Sequence, residues 1–131
     1  MFCPGRGNTG GDAVVYVPSR KVLITGDLLV APFPYASGSF IGEWIESLKK
    51  VDALEAATLL PGHGPVMHDK VYLHQVIDLL ESVQTQVRQA VAKGLTQEQT
   101  RKAVQVGPFR QAMGGEDPWR PFGFESNFLR P

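Results

Sequence analysis

Val22-Leu23-Ile24-Thr25-Gly26-Asp27 is a short apolar run that ends on a glycine and a carboxylate. Valine, isoleucine and threonine branch at Cβ and suit a pleated backbone, so residues 22–25 read as a strand with Asp27 at its C-terminal end. Upstream, Val14-Val15-Tyr16-Val17 has the same character, and Pro18-Ser19-Arg20-Lys21 between the two runs supplies turn chemistry. A β-hairpin is expected. Both strands are nearly continuous in apolar character, which predicts a place inside a covered sheet rather than at a wet edge.

Downstream of Asp27, Pro32 and Pro34 mark a loop over residues 31–38. Ser39 is a candidate cap for a helix whose apolar residues fall at Phe40, Ile41, Trp44, Ile45 and Leu48. A short strand over residues 57–60 leads into Pro61-Gly62-His63-Gly64-Pro65, where proline and glycine exclude a helix. Asp69 is placed to cap the longest helix, residues 70–93, which stops at Gly94. Its buried face is read as Leu73, Val76, Ile77, Leu80, Val83, Val87 and Val91. Thr96-Gln97-Glu98-Gln99 fits a capping box and starts a shorter helix ending near Val106. The order is hairpin, helix, strand, long helix, short helix: a mixed α/β (α+β) pattern with helices on one sheet face. A tail from Phe109 to Pro131 lacks periodicity but holds Phe109, Trp119, Phe122, Phe124 and Phe128, read as a segment wrapping back onto its own core.

Composition narrows the function classes. The chain has 131 residues, 43% of them hydrophobic and 20% charged, which suits one folded domain rather than a disordered chain. Basic and acidic residues balance at 13 each, with no basic stripe, so nucleic acid is not an expected partner. No apolar stretch is long enough for a membrane span, and the start lacks the apolar core of a signal peptide; a cytoplasmic location is the default expectation. The single cysteine, Cys3, excludes an internal disulfide and finds no neighbouring base for nucleophilic chemistry.

Three polar positions sit just past an apolar strand or in a glycine-rich turn: Asp27, His63 and Asn8. Side chains at strand ends are held by a rigid scaffold yet open to solvent, which suits ligands and catalytic groups. Carboxylate and imidazole both bind zinc and similar divalent ions, and one carboxylate can bridge two of them. Two donors are too few for a closed site, and the same residues can also serve as a turn cap and a backbone hydrogen-bonding histidine. His68 is a candidate on the substrate side, with a turn residue as its plainer reading. His74 reads as a partly exposed helix residue. Phe33 and Tyr35, in the proline-bearing loop, are candidates for lining a pocket or for packing that connection.

Read together, three segments resemble one family. Gly5-Arg6-Gly7-Asn8-Thr9-Gly10-Gly11-Asp12-Ala13-Val14-Val15-Tyr16 resembles the G-x-G-H-T-x-G-D-x-V-x-Y segment of the metallo-β-lactamase-fold superfamily. Val22-Leu23-Ile24-Thr25-Gly26-Asp27-Leu28-Leu29 is similar to its V-L-F-T-G-D-L-L segment, and Leu59-Leu60-Pro61-Gly62-His63-Gly64-Pro65 to its final P-G-H-G motif. The resemblance implies a four-layer αβ/βα sandwich of two similar halves with a one- or two-metal site at its edge. By residue it implies that Asp27 bridges the metals and His63 is the last histidine ligand. Asn8 stands where many members have a histidine ligand, with Thr9 beside it and Asp12 in an orienting role. An amide oxygen is a weaker ligand for zinc than imidazole. The signature H-x-H-x-D-H would lie upstream of Gly5, and the three histidines here (His63, His68, His74) all fall late.

The expectation is therefore the C-terminal half of a metallo-β-lactamase-like domain, with a core over about residues 5–106 and the aromatic tail over 107–131. The resemblance implies a metal-dependent hydrolase of a small-molecule substrate, using water activated by a divalent centre, with this half inactive or very weak alone. Zinc is the first choice of metal, with manganese or iron as alternatives. The competing reading is a non-catalytic metal-binding or self-associating module, since a face left by the missing half would favour a homo-oligomer.

Overall fold

The computed structural model describes residues 1–113. The expected hairpin is present and longer than its apolar core. Strand β2 (Asp12–Val17) and strand β3 (Val22–Val30) pair antiparallel, with Val15 opposite Ile24, Tyr16 opposite Leu23 and Val17 opposite Val22. A short 3-10 turn at Pro18–Arg20 joins them and closes on Lys21, at φ 51°. Strand β1 (Phe2–Gly5), which the sequence pattern did not suggest, pairs antiparallel with β2. Helix α1 (Ile41–Asp52) carries the chain across to β4 (Thr58–His63), which runs parallel to β3. A parallel neighbour needs such a crossover, and α1 provides it. The sheet order is β1-β2-β3-β4.

The remaining helices are α2 (Val71–Ala92), α3 (Gln97–Ala103) and α4 (Gly107–Ala112). One core joins sheet and helices: Val14, Leu23 and Leu59 from the strands meet Trp44 and Leu48 of α1 and Leu73, Val76 and Leu80 of α2. The opposite sheet face carries Val15, Val17, Val22 and Leu60, all part-exposed, and Ile24, which is 40% exposed. The helices among the described residues thus pack on one sheet face, as expected, and β2 and β3 lie inside the sheet rather than at its edge. Strand β1 starts before the expected core at residue 5, and Phe109 and Met113 join the packing past residue 106. Of the expected tail, residues 114–131 lie outside the described residues, so the reading of Trp119, Phe122, Phe124 and Phe128 is not addressed. No helix among the described residues is long and apolar enough to cross a membrane.

Local expectations fare unevenly. Thr96 and Gln99 form the capping box, each side chain accepting from the other's backbone N–H. Asp69 accepts from Val71 N at 3.0 Å and so caps α2 from one position further out than expected, with Lys70 at the cap itself. Ser39 does not cap α1: its hydroxyl donates to Ala36 O at 2.7 Å, and the helix begins after Phe40. Val87 and Val91 are exposed, and Ala90 is buried in their place. Near the end of α2 the small α3 covers the helix, and its approach selects a different stripe.

Asp52, the last residue of α1, ties that helix to the start of α2. Its carboxylate lies 3.0 Å from His74 Nε2 and 3.4 Å from Lys70 Nζ. Lys70 also donates to the carbonyls of Asp52 and Leu54, satisfying acceptors that a helix end leaves unpaired. Burial alone would raise the Asp52 carboxyl, but the His74 hydrogen bond and charge, then those of Lys70, outweigh it and hold the group below its ordinary value. A depressed carboxyl contributes stability above its unfolded value, near ~3.9, and loses it as pH falls through the folded value. We expect Asp52→Asn to cost up to ~1 kcal/mol at pH 7, discounted for its partial exposure. Urea melts at pH 7 and below about pH 3 check this: the gap between variant and parent should close in acid.

Candidate metal centre

The parallel pair β3–β4 carries its polar residues to one end. Pairing is regular from Val22 opposite Thr58 to Ile24 opposite Leu60, and then slips: Gly26 pairs with Pro61 and Val30 with His63. Strand β3 thus uses more residues than β4 over the same distance, a bulge that re-aims side chains near a sheet end. Gly26 sits in the bulge at φ +53°, a conformation that favours glycine. The bulge lets Asp27 lean toward β4 although Val30 is the register partner of His63. Asp27 Oδ1 lies 3.5 Å from His63 Nε2, with the side chains 51% and 71% exposed.

Backbone contacts hold His63 while its ring stays open to solvent. Ala31 N donates to His63 O at 3.0 Å. The chain then turns at Gly64, φ +101°, so close to Ala31 that an added Cβ would stand 2.7 Å from the Ala31 Cβ. Tyr72 of α2 donates to Val30 O at 2.6 Å and pins the end of β3; burial pushes its phenol well above the ordinary tyrosine range. Neither contact was legible in the sequence, because each joins segments far apart along the chain. An apolar hollow of about 460 Å³ adjoins this end, walled by residues that include Ala31, Pro65, Tyr72 and Met113. Phe33, packed on the core, and Tyr35, exposed, are not among its walls.

The glycine-rich loop between β1 and β2 is ordered by Asp12. This buried carboxylate accepts from Thr9 N and from the Thr9 hydroxyl, both at 2.9 Å. Gly7 O accepts from Phe40 N at 2.9 Å, and a Cβ at Gly7 would stand 2.7 Å from Leu28 Cδ1. Arg6 pairs with Glu43 and stacks 4.3 Å from the Phe40 ring centre, so the start of α1 clamps the loop. The loop that carries Asn8 thus lies against β3 at Leu28, the residue after Asp27. Asn8 is half-buried, and its side chain has no hydrogen-bond partner among the described residues.

The other histidines go elsewhere. Met67 bridges antiparallel to Leu59, so the connection after Pro65 runs back along β4 and carries His68 with it. Leu59 lies four positions before His63, about 13 Å of rise along a strand, and His68, next to Met67, is exposed beside the Leu59 end of β4. His74 is engaged with Asp52. Among the described residues no group of three His, Cys, Asp or Glu forms.

The two donors present nonetheless fit a metal. Ligands bound tetrahedrally at about 2.1 Å lie roughly 3.4 Å apart, close to the Asp27–His63 separation. That contact is too long and too exposed to matter much as an ion pair. A carboxylate and an imidazole at strand ends are thus half of a zinc-type donor set, open toward further ligands.

A model described as the metallo-beta-lactamase superfamily matches residues 1–63, ending on His63. Among solved structures the chain is similar to VMB-1, at 32% identity and a TM-score of 0.55 over 62% of this chain and 39% of that one. It is similar to the DIM-1 metallo-beta-lactamase at 29% identity and a TM-score of 0.55, covering 62% of this chain and 40% of that one. A metallo-beta-lactamase from Pontibacter korlensis matches at 28% identity and a TM-score of 0.54, covering 61% and 40%. The chain spans about two-fifths of the length of these structures.

Proposed function

We propose that this chain, a metallo-β-lactamase-fold protein, is the C-terminal half of a metal-dependent hydrolase domain and is inactive or very weak on its own. The observation that carries the reading is the meeting of Asp27 and His63 at the ends of two adjacent parallel strands, 3.5 Å apart. Asp27 and His63 would hold the ion, with Asn8 as a further oxygen donor; zinc is the first choice, manganese or iron the alternatives. A divalent ion there supplies Lewis acidity toward a carbonyl or phosphoryl oxygen and lowers the pKa of water. The chain's own residues do the positioning. Asp12, through Thr9, sets the backbone on which Asn8 stands, and the Ala31–His63 hydrogen bond fixes the base of the imidazole. The substrate is proposed only as a small molecule with an electrophilic carbonyl or phosphoryl group, since fold does not choose among β-lactams, thioesters, lactones and phosphodiesters.

Elemental mass spectrometry of the purified, dialysed chain tests this reading. About one metal or more per chain is expected, falling to background in His63→Ala. A metal-free parent chain would leave the constellation without the proposed role.

The exposed apolar sheet face around Ile24, together with only two donors meeting among the described residues, favours a second reading: a self-associating module that holds a structural metal between copies. The two readings separate at Asp27, through turnover.

A further inference from the structure

Gly62 is not among the glycines with a left-handed φ, so backbone conformation does not require glycine there. Space does. A Cβ at Gly62 would stand 2.0 Å from Asp27 Oδ1, 2.7 Å from Gly26 C and 2.8 Å from Asp27 N. Non-bonded heavy atoms settle at roughly 3.5–4.0 Å, so the carboxylate oxygen occupies the very place a side chain would take. Gly64 is a different case: its φ of +101° demands glycine whatever surrounds it.

The Asp27 side chain has no hydrogen bond to orient it among the described residues, and it is half-exposed. What bounds its position is the bare Cα beneath it. We propose that Gly62 is a positioning residue whose missing side chain forms the seat for the Asp27 carboxylate, setting its separation from His63 Nε2. This rests on the reading of Asp27 and His63 as metal ligands. Any side chain at position 62 forces the carboxylate out toward solvent, and ligand sets tolerate displacements of only about half an ångström. The β3 bulge and Gly62 are then two parts of one device: the first aims Asp27 toward β4, and the second leaves room for it to arrive.

The test is Gly62→Ala in the full chain, with two readouts. Crystal structures of metal-free parent and variant should show Asp27 Oδ1 displaced by more than about 1 Å while Gly26 still pairs with Pro61. Calorimetric titration with zinc should show affinity reduced at least about tenfold. A carboxylate that stays in place, or zinc affinity equal to that of a zinc-binding parent, overturns the proposal. If the parent itself binds no zinc, the metal reading fails, and the crystallographic displacement alone decides whether Gly62 is the seat. If Gly62→Ala does not fold, the double variant Gly62→Ala, Asp27→Ala decides. Recovery of folding shows that the carboxylate was the obstacle and supports the proposal. Continued failure shows that the Gly26–Asp27 backbone dictates glycine, and overturns it.

Discussion

Trp44→Ala should remove most of the stability of this chain. The indole is fully buried in the shared core of sheet and helices, and its Nε1 donates to Leu28 O at 2.9 Å. Two losses combine. Truncating a buried tryptophan to alanine costs about 3–5 kcal/mol in lost transfer energy and cavity. Leaving a carbonyl unpaired in the core adds about 1–3 kcal/mol where water cannot reach it. Domains of this size are stable by only about 5–15 kcal/mol, so the variant is expected to be mostly unfolded or to melt more than 10 °C lower. Trp44→Phe retains most of the packing but not the donor, and should fall between variant and parent. Urea denaturation followed by circular dichroism ranks the three. Near-parental stability of Trp44→Ala would mean that α1 is not fastened to β3 through this residue.

Asp27→Ala should do the reverse, abolishing metal binding while leaving the fold alone. The side chain is half-exposed and has no hydrogen bond among the described residues, so its removal should change stability by no more than about 0.5 kcal/mol. Among the described residues its carboxylate and the His63 imidazole are the two His, Cys, Asp or Glu donors that meet at this end of β3 and β4. Removing groups that merely orient metal ligands already costs about 10–100-fold in affinity, so losing a ligand itself should cost ~100-fold or more. Competition against a chromogenic chelator measures it. Retained affinity would move the metal site away from the β3–β4 edge. Turnover then separates the two functional readings. A hydrolytic centre loses any substrate turnover on Asp27→Ala and on chelation, whereas a structural metal between copies loses only its assembly.

Part of this site was legible in the chain before any fold was known, and the reason is local. A branched apolar run, a glycine and then a carboxylate makes a strand with a polar end, whatever it later packs against. Val22–Val30 therefore carries Asp27 as expected, and the run into Pro61-Gly62-His63 makes β4 for the same reason. The Thr96–Gln99 box formed as read because all its partners lie within one helical turn. Where the reading failed, a distant segment had intervened. Ser39 turned to Ala36 O because the first turn of α1 is held instead by Phe40 and the Gly7 carbonyl. Val87 and Val91 were left to solvent because α3 approaches α2 on another side. Strand β1 was missed since Phe2-Cys3-Pro4-Gly5 has no apolar alternation, and its pairing with β2 makes it a strand.

The amino-acid sequence by itself determined which residue types stand at the strand ends and that glycines flank His63. Only the tertiary structure decided that Asp27 and His63 meet. Their contact depends on a bulge in β3, which Gly26 permits locally, and on a parallel crossover that brings β4 in from far along the chain. It also decided that Met67, next to His68, pairs back with Leu59, and that a Cβ at Gly62 would meet the Asp27 carboxylate and the Gly26–Asp27 backbone of another strand. Periodicity and propensity act over a few residues, whereas the geometry of a metal site is set by backbones brought within an ångström or two of one another from far along the chain.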